Sequence, residues 1–512
     1  MIEENKSSMK NSVRRLIIAG IGVLIQIIWV VVLVMRLNQY SQIITLLTVA
    51  IELVLVLAVY SMDTNAAFKL PWIILITVAP IVGICVFFLF GRSGATKKVR
   101  VRYRKIDQQL FAYLNQDEQI IEELSKKDER LANDFKYLWK CASSPVYKNT
   151  DVKYYGDTCD AMAAQLEDMM QAKKFIFLEY HAIEMAESFQ ALRKVLMAKA
   201  REGVEIRILY DDAGCIGFLN PRFIKYMESM GIQCRVFNPI MPVLNIFMNN
   251  RDHRKITVID GKVAYTGGYN LADEYFNITH PYGQWKDSGI RFEGDAVQTA
   301  TILFLEMWNA LKEQDVDIEK YLPVYPYKAK EQGFFALYGD SPLDKEPAGE
   351  NVYMNLLRHA KKYIYFTTPY LILSDEMTRE LTGAAKRGVD VRIITPGIPD
   401  KKTIFQVTKS YYPQLLKHGV KIYEYTPGFM HEKQCICDGE IVVVGTINLD
   451  FRSLYLHFEN AALFCGYEAV SHVKEDFDAL FPICKDMSKE PSERTRRLRL
   501  SQLILRLFSP LM

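Results

Sequence analysis

The chain lacks several features that would classify it quickly. Its nine cysteines include no Cys-x-x-Cys pair and no regular framework. That argues against a zinc ribbon or a disulfide-stapled secreted domain and favours reduced, mostly buried thiols. Charge is nearly balanced: 63 basic against 60 acidic residues, net +3. Bulk electrostatics therefore give no reason to expect a nucleic-acid partner. No small-residue cleavage site follows the first apolar run, and further runs come after it, which argues against a cleaved leader. Apolar residues, by contrast, make up 50% of the 512 positions, and the excess sits near the N-terminus.

Three runs carry that excess. Leu16–Met35 has no charged residue, and at about 1.5 Å per residue it is long enough for a bilayer core. Ile43–Met62 is similar but contains Glu52, which either faces another helix or marks a run that does not fully span. Leu70–Phe90 contains Pro71, Trp72 and Pro80. Residues 1–92 are therefore expected to form a membrane anchor of two or three transmembrane helices, with 93–150 a helical linker. Lys6, Lys10, Arg14 and Arg15 precede the first run. A heavier basic cluster, Arg92 to Lys105, follows the third. Positive residues favour the cytoplasmic side, so the C-terminal body is expected there.

From about residue 150 strand and helix patterns alternate, and the chain repeats itself. Ala172-Lys-Lys-Phe-Ile-Phe returns as Ala360-Lys-Lys-Tyr-Ile-Tyr, and Arg201-Glu-Gly-Val-Glu-Ile-Arg-Ile as Lys386-Arg-Gly-Val-Asp-Val-Arg-Ile. Gly231-Ile-Gln-Cys-Arg-Val returns as Gly419-Val-Lys-Ile-Tyr-Glu. The pattern predicts an α/β protein of two similar halves, 151–335 and 336–490, each a mixed or parallel sheet flanked by helices.

Each half carries one chemistry-bearing motif. The first is His253-Arg-Lys255 with Asp260, followed by Gly267 and Asn270; the second is His431-Glu-Lys433 with Asp438, followed by Gly445 and Asn448. All the internal spacings agree. One His-x-Lys is weak evidence, but two matched copies inside a wider repeat are strong. Residues two apart on a strand face the same way, so each motif presents an imidazole and an ammonium together. Lysine and asparagine donors suit a phosphodiester and its transition state, and the imidazole supplies a nucleophile or an acid/base. Asp260 and Asp438 precede glycines and read as turn residues or histidine-orienting groups. The other histidines at 181, 280, 359, 418 and 472 lack this context.

The repeat offset is 188, 185 and 188 for the three matched segments but 178 between the two motif histidines. The first half thus holds about ten extra residues between Pro239 and His253, the mostly apolar stretch 240–250. It reads either as a plug over a sheet or as a lip, with Leu244, Ile246 and Phe247, that touches the bilayer. Beyond the second half, 491–512 interleaves Arg494, Arg496, Arg497, Arg499 and Arg506 with leucine, isoleucine and phenylalanine. It reads as a basic amphipathic tail that lies on anionic lipid or packs on the second sheet.

The paired motifs resemble those of the phospholipase D superfamily, and the wider chain is similar to bacterial cardiolipin synthases over roughly residues 40–512. The phrases that carry the likeness are Asn250-Arg-Asp-His-Arg-Lys-Ile, Thr266-Gly-Gly-Tyr-Asn-Leu-Ala-Asp-Glu-Tyr, Gly428-Phe-Met-His-Glu-Lys and Asn448-Leu-Asp-Phe-Arg-Ser. The resemblance implies a cell-membrane enzyme that converts two phosphatidylglycerols into cardiolipin and glycerol through a phosphohistidine, with no metal or other cofactor. His253 and His431 are the implied nucleophile and acid/base, His253 being favoured as nucleophile. Asp287 and Glu459 match the acidic residues that orient the histidines. Thr446 stands where serine is usual, and His457 where asparagine is usual, which adds a titratable group near the site. A phosphatidylserine synthase or a hydrolytic phospholipase D would share these motifs; a nuclease fits less well with near-neutral charge and membrane runs. Oligomeric state is not legible.

Overall fold

The computed structural model describes residues 42–88, 97–219, 222–240, 249–490 and 498–511, apart from 313, 314, 316 and 325, with scattered positions between 21 and 35. The first half contributes β1 (Thr150–Tyr155), β2 (Phe175–Tyr180), β3 (Glu205–Asp211), β4 (Gln233–Phe237), β5 (Arg251–Asp252), β6 (Lys255–Ile259), β7 (Val263–Gly267), β8 (Gln284–Lys286) and β9 (Gly289–Gly294). The second contributes β10 (Phe334–Asp340), β11 (Tyr363–Thr367), β12 (Asp390–Pro396), β13 (Lys421–Tyr425), β14 (Gly428–Met430), β15 (Gln434–Cys437), β16 (Ile441–Gly445), β17 (His457–Cys465) and β18 (Cys484–Asp486).

The two main sheets have the same order. The first runs β1-β9-β7-β6-β2-β3-β4 and the second β10-β17-β16-β15-β11-β12-β13, with β18 added at its edge. In both, the last three strands of the shared order are parallel and the rest antiparallel. The repeated sequence segments fall on corresponding strands, β2 with β11, β3 with β12, and β4 with β13.

Every residue of β2 is buried, and the strand shows why. Phe175 and Phe177 point into a core shared by both halves, while Ile176, Leu178 and Tyr180 point into a core under the first half's own helices. In β11, Tyr365 joins the shared core and Ile364 and Phe366 join the second half's outer core. Period-2 alternation thus sorts apolar side chains between two cores, as expected when sheets are covered on both faces. The halves pack sheet against sheet, and the shared core runs through Phe292, Phe335, Val444, Phe458 and Phe464.

Toward the N-terminus, the helices Gln42–Tyr60, Ala66–Val78 and Pro80–Val86 share a small core of Leu55, Val59, Ile76 and Phe87. Many of their large apolar side chains are exposed, among them Leu46, Leu53, Val54, Leu57 and Val78. Glu52 is half-buried. The run Leu70–Phe90, one candidate for a third transmembrane helix, is broken before Pro80. A Cβ on Gly83 would lie 2.5 Å from the Ile76 Cα, so the helix Pro80–Val86 packs tightly on Ala66–Val78. Among the described residues no helix is long and apolar enough to cross a membrane. Most of Leu16–Met35 lies outside the described residues, as do 241–248 of the apolar insertion with Leu244, Ile246 and Phe247, and Arg494, Arg496 and Arg497 of the tail.

The tail helix Leu500–Leu507 combines both of its expected characters. Gln502 is buried and donates to the Gln406 carbonyl, and the Arg506 guanidinium lies 4.1 Å from the Tyr411 ring centre. Leu500, Leu503 and Ile504 are exposed.

Candidate active site

The site forms where each half reaches into the other. β5, just before His253, pairs in parallel with the start of β17 in the second half, Arg251 opposite His457 and Asp252 opposite Phe458. β14, just before His431, pairs in parallel with β8 of the first half, Phe429 opposite Trp285 and Met430 opposite Lys286. The exchange continues one residue further, with the His253 N–H donating to the Phe458 carbonyl at 2.9 Å and the His431 N–H to the Lys286 carbonyl at 2.8 Å. The next residue on each receiving strand is an acid. His253 Nδ1 therefore sits 2.9 Å from both carboxylate oxygens of Glu459, and His431 Nδ1 2.5 Å from Asp287 Oδ2.

With Nδ1 donating to a carboxylate, Nε2 is the nitrogen left to react. Both histidines are buried, at 8% and 6% exposure. Burial first, and then the nearby lysines, holds each well below the usual imidazole range, so the neutral ring predominates. Lys255 Nζ donates to the His253 carbonyl at 2.7 Å. Lys433 Nζ donates to the His431 carbonyl and lies 2.7 Å from His431 Nδ1. Desolvation draws the Lys255 ammonium down to about 8 and that of Lys433 to about 7, against the pull of Glu459 and Asp287. Burial also lifts the Asp287 carboxyl to about 6, partly offset by Lys433. Two imidazoles and two ammoniums, all buried and each imidazole backed by a carboxylate, can bind a phosphodiester and transfer it.

The middle residues of the motifs point the other way, into buried ion pairs. Arg254 donates to Glu306 at 2.8 Å, and Glu432 pairs with Lys286 at 2.6 Å. The downstream glycines have a packing reason. A Cβ on Gly267 would lie 2.4 Å from the Ser288 carbonyl, and one on the adjacent Gly268 would strike Asp287 Oδ1 at 2.0 Å. In the second half, a Cβ on Gly445 would meet the Asn460 carbonyl at 2.4 Å.

Asp260 and Asp438 are placed differently from the histidine-orienting role considered for them. Each stands at the far end of its strand with positive φ, 56° and 53°. The Asp260 carboxylate accepts backbone N–H groups of Lys173, Lys174 and Phe175; that of Asp438 accepts those of Lys361, Lys362 and Tyr363. They tie the strand turn to the start of β2 and β11. Asn270 is also committed: its carbonyl accepts the Ala182 N–H and its amide donates to the Tyr275 hydroxyl. Asn448 is buried, and its Oδ1 has no hydrogen-bond partner among the described residues.

A family profile described as "Cardiolipin synthase, PLD-like domain" matches residues 166–308 and 353–481. The chain belongs to this phospholipase-D-like family. A cardiolipin synthase of Halalkalibacterium halodurans is 32% identical over 442 residues, covering 86% of this chain and 87% of that protein. Cardiolipin synthase 2 of Bacillus anthracis is 31% identical over 452 residues, covering 86% of each. A protein of Streptococcus mutans described only as uncharacterized is 39% identical over 460 residues, covering 90% of this chain and 99% of its own. The crystal structure of a phosphatidylserine synthase from Haemophilus influenzae aligns with a TM-score of 0.54 at 14% identity, covering 70% of this chain and 93% of that one, a likeness of fold.

Within this family framework the two histidines have unlike surroundings. His431 is ringed by Tyr275, Trp285 and Phe429, with centroids at 5.2, 5.0 and 5.7 Å. His253 is flanked by two further imidazoles, His181 at 5.0 Å and His457 at 5.5 Å. His181 was set aside in the sequence as ordinary; the one signal for it was its place directly after β2, at the strand's C-terminal end, where sites of α/β sheets gather. Its Nδ1 meets the Asp252 carbonyl at 2.7 Å. His253, His457 and Glu459 are spaced as a metal-binding group would be. Glu459 already holds His253 Nδ1 and accepts the Thr446 hydroxyl, and His457 Nε2 accepts from Arg452.

Proposed function

We propose that the protein is a cardiolipin synthase: it moves a phosphatidyl group from one phosphatidylglycerol to the hydroxyl of another, releasing glycerol. The observation that carries the reading is the pair of buried His-Lys sets, each histidine hydrogen-bonded to a carboxylate of the opposite half, in a chain of this family. One histidine attacks phosphorus through the Nε2 of its neutral ring, the bond to the departing glycerol oxygen breaks, and the other histidine, in the imidazolium form that its carboxylate stabilises, gives that oxygen its Nε2 proton. The acceptor hydroxyl then attacks the phosphohistidine, the P–N bond breaks, and the second histidine takes back the proton. Lys255 and Lys433 stabilise the charge on the non-bridging oxygens. Asp287 and Glu459 fix the imidazole tautomers and stabilise the imidazolium when it forms. Asn448 is a further candidate for a donor to the phosphate.

The chain is read as five parts: an anchor (1–92), a helical linker (93–150), the two halves (151–335 and 336–490) and a tail (491–512). The exposed apolar side chains of Gln42–Tyr60 and of the tail helix support attachment to the bacterial cell membrane, with the body on its cytoplasmic side. The test is purified protein in vesicles of labelled phosphatidylglycerol. Cardiolipin plus glycerol is the expected product; phosphatidic acid alone would mean a hydrolase. His253→Ala and His431→Ala should each abolish turnover, and a labelled phosphoprotein retained by one of them identifies the nucleophile.

A further inference from the structure

The surroundings of His253 are cationic in a way those of His431 are not. Arg452, in the short helix Phe451–Tyr455, sends Nε to His457 Nε2 at 3.2 Å. Among the described residues no acceptor is recorded for its two terminal amino groups, and no carboxylate pairs with it. The nearby acids are already occupied. Asp450 caps the helix through the N–H groups of Arg452 and Ser453; Asp211 takes the N–H groups of Asp252, Ala213 and Gly214 and the Arg251 guanidinium; Glu459 holds His253 and Thr446. Arg251, opposite His457 in the strand pair, is close enough that its charge works against that of Arg452. Asp450 and Asp211 offset much of that repulsion, yet the Arg452 terminal amino groups remain as spare donors in a half-buried setting, which suits a phosphate. In the first half, Glu274 holds the repeat position of Arg452 and Trp285 that of His457, so the feature exists on one side only.

We propose that Arg452 and Arg251, with His457 between Arg452 and His253, form a second phosphate subsite that holds the phosphodiester of the acceptor lipid. This rests on the cardiolipin synthase reading. The acceptor differs from an ordinary alcohol in one respect: beyond the reacting hydroxyl, across a glycerol arm, it carries its own phosphate. The reacting phosphorus sits at the histidine-lysine sets, and the Arg452 guanidinium lies one imidazole beyond His253, a gap of the kind that a flexible glycerol arm bridges. The helix that carries Arg452 is also where the N-terminal helices dock. Phe68 meets Phe451 and Tyr455, each at 5.5 Å, and the Asn65 amide reaches the Tyr455 hydroxyl at 3.1 Å. The subsite thus shares a helix with the docking point of the part of the molecule assigned to the lipid surface.

The experiment compares two reactions of the full-length protein in phosphatidylglycerol vesicles. Exchange of labelled free glycerol into phosphatidylglycerol uses the donor site and an acceptor with no phosphate; cardiolipin formation uses both sites. Arg452→Gln should cut cardiolipin formation by about tenfold or more and leave glycerol exchange within about twofold, with a raised KM for phosphatidylglycerol in transfer. Arg452→Lys, which keeps the charge and loses the fork, should fall between; it also serves as the reading if the glutamine variant does not fold. Equal losses in both reactions, or no loss in either, overturn the subsite. Wild-type protein that performs neither reaction overturns the function itself.

Discussion

Lys433 and Lys255, with the ammonium groups drawn to about 7 and about 8, and Asp287, with its carboxyl raised to about 6, titrate close together. An amine loses its charge as pH rises through its pKa, so phosphate binding weakens first at Lys433 and then at Lys255. A carboxyl gains a proton as pH falls, so below about 6 Asp287 no longer stabilises an imidazolium on His431. A bell-shaped rate profile is expected, with an acid limb near 6 and an alkaline limb from about 7 upward. A flat profile from 5 to 9 would contradict the assignment. Asp287→Asn should remove the acid limb along with most of the rate. Glu459→Gln should cost about 10²–10⁴-fold in kcat with little change in melting temperature, since the amide preserves the shape but not the charge behind His253.

At the scale of elements, Gly268, the residue after β7, leaves room for the acid behind His431. Gly268→Ala should push Asp287 aside and lower the rate by about 10²-fold while circular dichroism stays native; normal activity would show that the contact is not needed. Elements were legible in the sequence to different depths. The repeats exposed the paired strands because β2 and β11 are short apolar runs before a recurring turn, and the His-x-Lys spacing exposed which side chains share a face. The exchange of β5 and β14 between halves was not legible: two- and three-residue strands carry no periodicity, and pairing across 206 and 144 positions leaves no local trace. The motif aspartates could not be placed for a related reason, since the Asp-Gly turn was visible but the backbone of Lys173–Phe175 that it holds was not. The run Leu70–Phe90 has the composition of a single helix, and the break before Pro80, with Gly83 packed against Ile76, is visible only in the structure.

For the whole molecule, reciprocity sets the rules. Each histidine takes its carboxylate from the other half, so either half produced alone should be inactive on phosphatidylglycerol even if it folds. Mixing His253→Ala with His431→Ala protein should restore nothing, because each chain closes its own site. Recovery of a substantial fraction of wild-type rate in that mixture would mean that halves are shared between chains. The balanced net charge adds that binding to vesicles should depend on the apolar N-terminal and tail surfaces more than on bulk attraction, and should survive raised salt.

The two short exchanged strands also make catalysis a gauge of docking. A helix or a sheet can persist within a half after the seam has loosened, but neither imidazole then keeps its carboxylate. Under mild heat or low urea, turnover should fade before the far-ultraviolet signal does, and ligands that bridge the seam, phosphatidylglycerol among them, should raise the midpoint of the first transition more than that of the second. The enzyme would then lose its chemistry by coming unfastened, well before it comes apart.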